Sequence, residues 1–119
     1  MSIYGDVILD HYRYPRNQGT LDFPTASADL NNPLCGDKLH LEVNEKDGIV
    51  EEIAFTGQGC AISIASASML IEYAKGKTKE ELLQLNKETV LELLGIELTP
   101  NRLKCALLSL EGIHTVLTK

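Results

Sequence analysis

The sequence predicts one small domain in which short strands form an antiparallel meander, with one helix before the meander and a run of helices after it. Three observations predict this. Lys38 to Asn44 alternates strictly, with Leu39, Leu41 and Val43 on one face and His40 and Glu42 on the other, as a half-buried strand requires. Asp47-Gly48 then gives the two-residue turn signal of a hairpin. On either side the apolar residues recur at helical spacing instead.

Taken in order, Tyr4, Val7, Ile8, His11 and Tyr12 form an apolar stripe, which predicts a helix from about Ile3 to Tyr14 that stops before Pro15. His11 on that stripe reads as a partly buried, hydrogen-bonded histidine. Arg16 to Thr20 is polar and turn-rich and reads as a loop. A short strand is expected from about Thr25 to Asn31, followed by the alternating strand. The hairpin partner runs from about Ile49 to Thr56, with Ile53 and Phe55 pointing the same way. Beyond Gly57-Gln58-Gly59-Cys60 the pattern turns helical from Ala61 to Lys75, with Ile64, Ala67, Leu70 and Ala74 on one side. Two shorter helices follow, Lys79 to about Leu85 and Lys87 to Leu94, the second ending at Gly95. Their glutamates read as solvated faces. The last helix opens with Thr99 as N-cap and Pro100 in the first turn, and buries Leu103, Ala106, Leu107, Leu110, Ile113, Val116 and Leu117. His114 reads as a cap or surface group.

At 119 residues the chain fits one domain, 1–119, able to bury roughly two thirds of its unfolded surface. No apolar run approaches the roughly 20 residues of a membrane span, and Met1 to Asp6 lacks the basic-then-apolar order of a secretory signal. A cytoplasmic protein is expected, with no membrane partner. A net charge of −6, with no block of Lys and Arg, disfavours nucleic acid. Three cysteines suit no disulfide framework and, in a reducing compartment, point to metal ligands or reactive thiols when they are not core fillers.

Cys35-Gly36-Asp37 places a thiol and a carboxylate two residues apart. In extended backbone both point to one side, with Gly36 allowing close approach and Pro33 stiffening the way in. Asp37 starts the apolar parity of its strand, and His40 points away from it. Cys60 stands where a strand gives way to a helix, at free N–H groups and the positive end of the helix dipole, which favour a thiolate. Cys105 lies in the second turn of the last helix, with Arg102 on the same face and Lys104 adjacent in sequence. No cysteine falls mid-stripe. Thiolates joined by one carboxylate suit tetrahedral zinc or iron in a cluster. On chemistry alone three readings stand: a metal or cluster site, a reactive thiol without metal, or unrelated buried cysteines. A carboxylate in place of a fourth thiolate holds a soft iron-sulfur unit less firmly, so such a site would be built to release.

With these residues in view, Ile8-Leu9-Asp10-His11-Tyr12, Tyr14-Pro15-Arg16-Asn17-Gln18-Gly19, Asn32 to Asp37, Gly57 to Ser63 and Arg102-Leu103-Lys104-Cys105 together resemble the IscU/SufU/NifU N-terminal family over nearly the whole chain. The resemblance implies an α+β fold, a three-stranded antiparallel sheet packed against several helices. It implies a scaffold for iron-sulfur cluster assembly that takes sulfur from a PLP-dependent cysteine desulfurase, binds iron or a transient [2Fe-2S] cluster through Cys35, Asp37, Cys60 and Cys105, and passes it to apo-proteins, with a homodimer or higher form when loaded. Cys105 is the expected persulfide acceptor, with Gly36, Arg102 and Lys104 as auxiliary residues and Cys60 as the rival. Lys104 stands where the IscU type usually has histidine, and Leu98 to Arg102 only partly matches that type's chaperone-recognition motif. The Arg-x-Lys-Cys segment is similar to the SufU type, which implies the alternative of a zinc-binding sulfurtransferase; the short stretch between Cys60 and Cys105 looks closer to IscU.

Overall fold

The structure, a computed structural model, describes residues 3–33 and 36–118. Its elements run α1 (Ile3–Arg13), β1 (Ala26–Asn32), β2 (Asp37–Lys46), β3 (Ile49–Gln58), α2 (Ala61–Ala74), α3 (Lys79–Leu83), α4 (Lys87–Leu94) and α5 (Pro100–Leu117). The strands form one antiparallel sheet in the order β1-β2-β3, an α+β arrangement with helices packed against it, as expected.

Parity fixes which face of the sheet is inside. Leu39, Leu41 and Val43 of β2 are buried together with Leu30 of β1 and Ile53 and Phe55 of β3. α2 and α5 lie on this face. At Gly112 a Cβ would come against Leu41 and Leu30, so α5 approaches the sheet at that point as only glycine allows. Asp47 and Gly48 both take positive φ, 54° and 79°, the geometry of a primed hairpin turn, and β2 to β3 keep register up to a shift at Asn44/Glu45. On the outer face His40 lies between Asp29, at 2.8 Å, and Glu42, at 2.9 Å. These bonds, Glu42 first, raise the imidazole above its ordinary value.

Several expectations are corrected. α1 buries a narrower stripe: Ile8 is inside, whereas Val7 and Tyr12 are exposed, because the helix lies mainly along α2 with little else over it. α2 is buried on most sides, not one, since α1, α4, α5 and β3 all pack on it. Its interior serines are consequently bonded: Ser66 to the Ser63 carbonyl, and Ser68 to the Arg16 N–H and to His11, both at 2.8 Å. His11 is therefore the hydrogen-bonded, half-buried histidine expected. The polar stretch after α1 is more than a loop, because Phe55 donates to the Asn17 carbonyl at 3.0 Å and Gly19 to the Phe55 carbonyl at 2.8 Å, covering part of the outer edge of β3. β3 runs two residues further than expected, to Gln58. His114 meets the Leu82 carbonyl at 3.2 Å, so it ties α5 to the end of α3.

Local signals set the later helices. Thr78, Asn86 and Thr99 each accept a backbone N–H at the start of α3, α4 and α5, and Gly95 closes α4 at φ 69°. No helix among the described residues is long and apolar enough to cross a membrane.

Candidate metal centre

Three elements deliver their chemistry to one end of the sheet. Asp37 opens β2 on the buried parity and is 0% exposed. Cys60 is the N-cap of α2, half-buried, with extended backbone at φ −73° and ψ 168°. Cys105 sits one turn into α5 and is 0% exposed. One donor atom from each of Asp37, Cys60 and Cys105 lies within 4.8 Å of the other two, a spacing that could hold a metal ion. Cys35, the remaining expected donor, lies outside the described residues.

The carboxylate is oriented by the start of α2. Asp37 Oδ1 accepts the Cys60 N–H at 3.0 Å, an acid at a helix N-terminus. Asp37 Oδ2 is buried and, among the described residues, has no hydrogen-bond partner. A buried carboxylate oxygen left over, beside two thiols, is what a donor set for a cation looks like from the protein's side. The junction has no room for a side chain before Cys60: a Cβ on Gly59 would lie under 3.0 Å from both Asp37 Oδ1 and Ser63 Oγ.

Both described thiols have protein partners. Burial pushes the Cys60 thiol up, but its hydrogen bonding with the Ser63 N–H, the Ser63 side chain and the Cys105 thiol outweighs that and the nearby Asp37 charge, leaving it below its ordinary value. Ser63 also donates to the Cys60 carbonyl at 3.0 Å, which locks the first turn. Around Cys105, the Asn32 amide approaches the sulfur at 3.9 Å and the Asn101 carbonyl lies at 3.6 Å.

The sequence placed Asp37, Cys60 and Cys105 at element boundaries, and the fold brings those three together. Arg102 and Lys104 are both exposed, on the first turns of α5. Gly36 takes φ +71°, and a Cβ there would meet nothing within 4 Å, so its requirement is conformational and not the close approach expected. Sequence reasoning missed Asn32, Ser63 and Gly59. Asn32 falls one residue beyond the strand expected to end at about Asn31, whereas it is the last residue of β1 and is paired with Asp37 of β2. Ser63 could have been found three residues beyond a helix N-cap, where a hydroxyl reaches back to the cap carbonyl.

A three-stranded antiparallel sheet whose end meets two helix starts in a carboxylate-and-thiol cluster defines a small α+β domain with a candidate metal site, and comparison with known proteins gives its family. The chain belongs to the NifU-like N-terminal domain family, matched over residues 3–119. It is 36% identical to the zinc-dependent sulfurtransferase SufU of Bacillus subtilis (strain 168), over 99% of this chain and 91% of that protein. It is 37% identical to the iron-sulfur cluster assembly scaffold protein IscU 1 of Archaeoglobus fulgidus, over 94% of this chain and 72% of that one. A crystal structure described only as that of a hypothetical protein superposes with a TM-score of 0.87 at 35% identity, over 98% of each chain.

Proposed function

We propose that the domain, residues 1–119, is a scaffold on which iron-sulfur clusters are assembled, working in the cytoplasm between a PLP-dependent cysteine desulfurase and apo-proteins that receive the product. The observation that carries this reading is the convergence of Asp37, Cys60 and Cys105 within 4.8 Å, with a buried carboxylate oxygen left unpartnered among the described residues. Cys35, two residues before Asp37 in the sequence, is the fourth donor of this reading. The cluster, [2Fe-2S], or its iron is cargo here, held long enough to be built and then passed on, with two copies of the chain meeting when it is loaded.

The residues divide the work. Thiolates supply soft donors for iron, while the harder Asp37 oxygen is the ligand most readily exchanged for water or an incoming thiol. Sulfur arrives by exchange: a scaffold thiolate attacks the outer sulfur of the desulfurase's cysteine persulfide, a new S–S bond forms, the old one breaks, and the desulfurase cysteine departs as thiolate. Cys105 ends as the carrier of that sulfur. Lys104, an ammonium with no lone pair, contributes charge and not coordination.

A second reading, zinc-dependent sulfur transfer, is favoured by the near full-length similarity to a protein of that name. Cys35, Asp37, Cys60 and Cys105 would hold the zinc, which would keep the thiols deprotonated. Anaerobic incubation with ferrous iron, cysteine and a desulfurase separates the two. The scaffold reading expects a coloured species with matching iron and sulfide, weakened by Cys35→Ser, Cys60→Ser and Cys105→Ser alike. Tight stoichiometric zinc with no coloured species under any reducing condition would hand the function to the second reading.

A further inference from the structure

We propose that sulfur enters this site at Cys60 and that Cys105 takes it from Cys60 in a second, internal exchange. The inference rests on the sulfur-accepting reading above and adds an order of events to it. Exposure sets the direction. Cys105 is 0% exposed, enclosed by α5, the end of β1 and the site itself, so a partner's cysteine cannot touch its sulfur without local opening of the fold. Cys60, half-buried at the start of α2, is open to that approach.

Distance makes the second step available. The Cys60 and Cys105 sulfurs lie within 4.8 Å of each other. A sulfur bonded to Cys60 Sγ at about 2.05 Å and turned toward Cys105 covers much of that gap, leaving it in contact with the second thiol without backbone movement. The exchange balances without an oxidant. Cys105 thiolate attacks the outer sulfur of the Cys60 persulfide, the Cys105–sulfur bond forms as the Cys60–sulfur bond breaks, and Cys60 leaves as thiolate while the outer sulfur keeps its proton. Both ends of this step are supported. The departing Cys60 thiolate faces the Ser63 hydroxyl at 3.9 Å and the N-terminus of a 14-residue helix. The receiving Cys105 is positioned by the Asn32 amide at 3.9 Å and the Asn101 carbonyl at 3.6 Å. Sulfur delivered there is shielded from solvent reductants beside Asp37, where it is to be used.

The test is a time course with the full chain, a desulfurase and cysteine, quenched by alkylation and read by peptide mass spectrometry. The extra sulfur should appear on Cys60 before Cys105. In Cys60→Ser, or Cys60→Ala should the serine variant misfold, Cys105 loading should slow by about tenfold or more because it then needs local opening. In Cys105→Ser, the sulfur should stop at Cys60, with no second cysteine loaded after it. Cys105 loading at an unchanged rate without Cys60, or sulfur on Cys35 ahead of Cys60, would overturn the relay while leaving sulfur acceptance intact. No sulfur on any cysteine, while the same desulfurase turns over with dithiothreitol, would overturn the sulfur-accepting reading itself.

Discussion

Asp37→Asn should make the cargo-free protein more stable. Asp37 is wholly buried; one oxygen accepts from the Cys60 N–H at 3.0 Å and the other has no partner among the described residues. A buried acceptor left unsatisfied costs about 1–3 kcal/mol. Asparagine keeps the first bond and turns the second position into a donor, in a side chain that has one oxygen within 4.8 Å of the Cys60 and Cys105 sulfurs, which are weak acceptors. Recovering part of that cost gives about 1–2 kcal/mol of stabilisation. For 119 residues the entropy of unfolding is about 0.25 kcal/mol per degree, so Tm should rise by about 4–8 °C. Thermal and urea unfolding with a chelator present would measure it, and cluster loading of the same variant should fall, the exchange of stability for function that such sites show. An unchanged or lower Tm would refute the reasoning, since it would mean that the carboxylate is satisfied within the folded chain and is not held in reserve for a cation.

Gly59→Ala should destabilise the protein by about 1–3 kcal/mol and reduce its metal capacity, because the added methyl displaces Asp37 Oδ1 and Ser63 Oγ; Tm and metal stoichiometry report the two effects. His40→Gln should cost stability in a pH-dependent way. Glu42 and Asp29 raise the imidazole, so its contribution is fully present below its ordinary pKa of about 6.5 and is lost as pH rises through the raised value. The stability gap between wild type and variant should narrow from pH ~6 to pH ~9 in urea titrations, and a widening gap would contradict the assignment. Lys104→Ala should slow sulfur acceptance by a factor of a few while leaving metal content unchanged, because an exposed ammonium steers the incoming persulfide enzyme without coordinating anything.

What the sequence made legible is what short-range rules decide. The period-two run around Leu41, the Asp47-Gly48 turn and the Thr99-Pro100 helix start each depend on a few neighbouring residues, and each stands where it was expected. What escaped depends on partners distant in the chain. Asn17 to Gly19 look like turn residues until Phe55 is beside them, and the serines of α2 look like a polar face until four elements enclose it. The candidate site divides the same way. Its donor types and boundary positions could be read directly, whereas Asn32 reaches Cys105 across 73 residues and Asp37 reaches Cys60 across 23, contacts that no local pattern encodes.

The most direct test of the scaffold account is transfer. A cluster assembled anaerobically on the chain would be mixed with an apo iron-sulfur acceptor in the presence of a strong iron chelator, and the acceptor's own visible spectrum followed. The account predicts that the acceptor gains its cluster faster than the chelator gains iron, because the cargo is handed over through exchange at Asp37 without being released. Iron collecting on the chelator while the acceptor stays apo would contradict it.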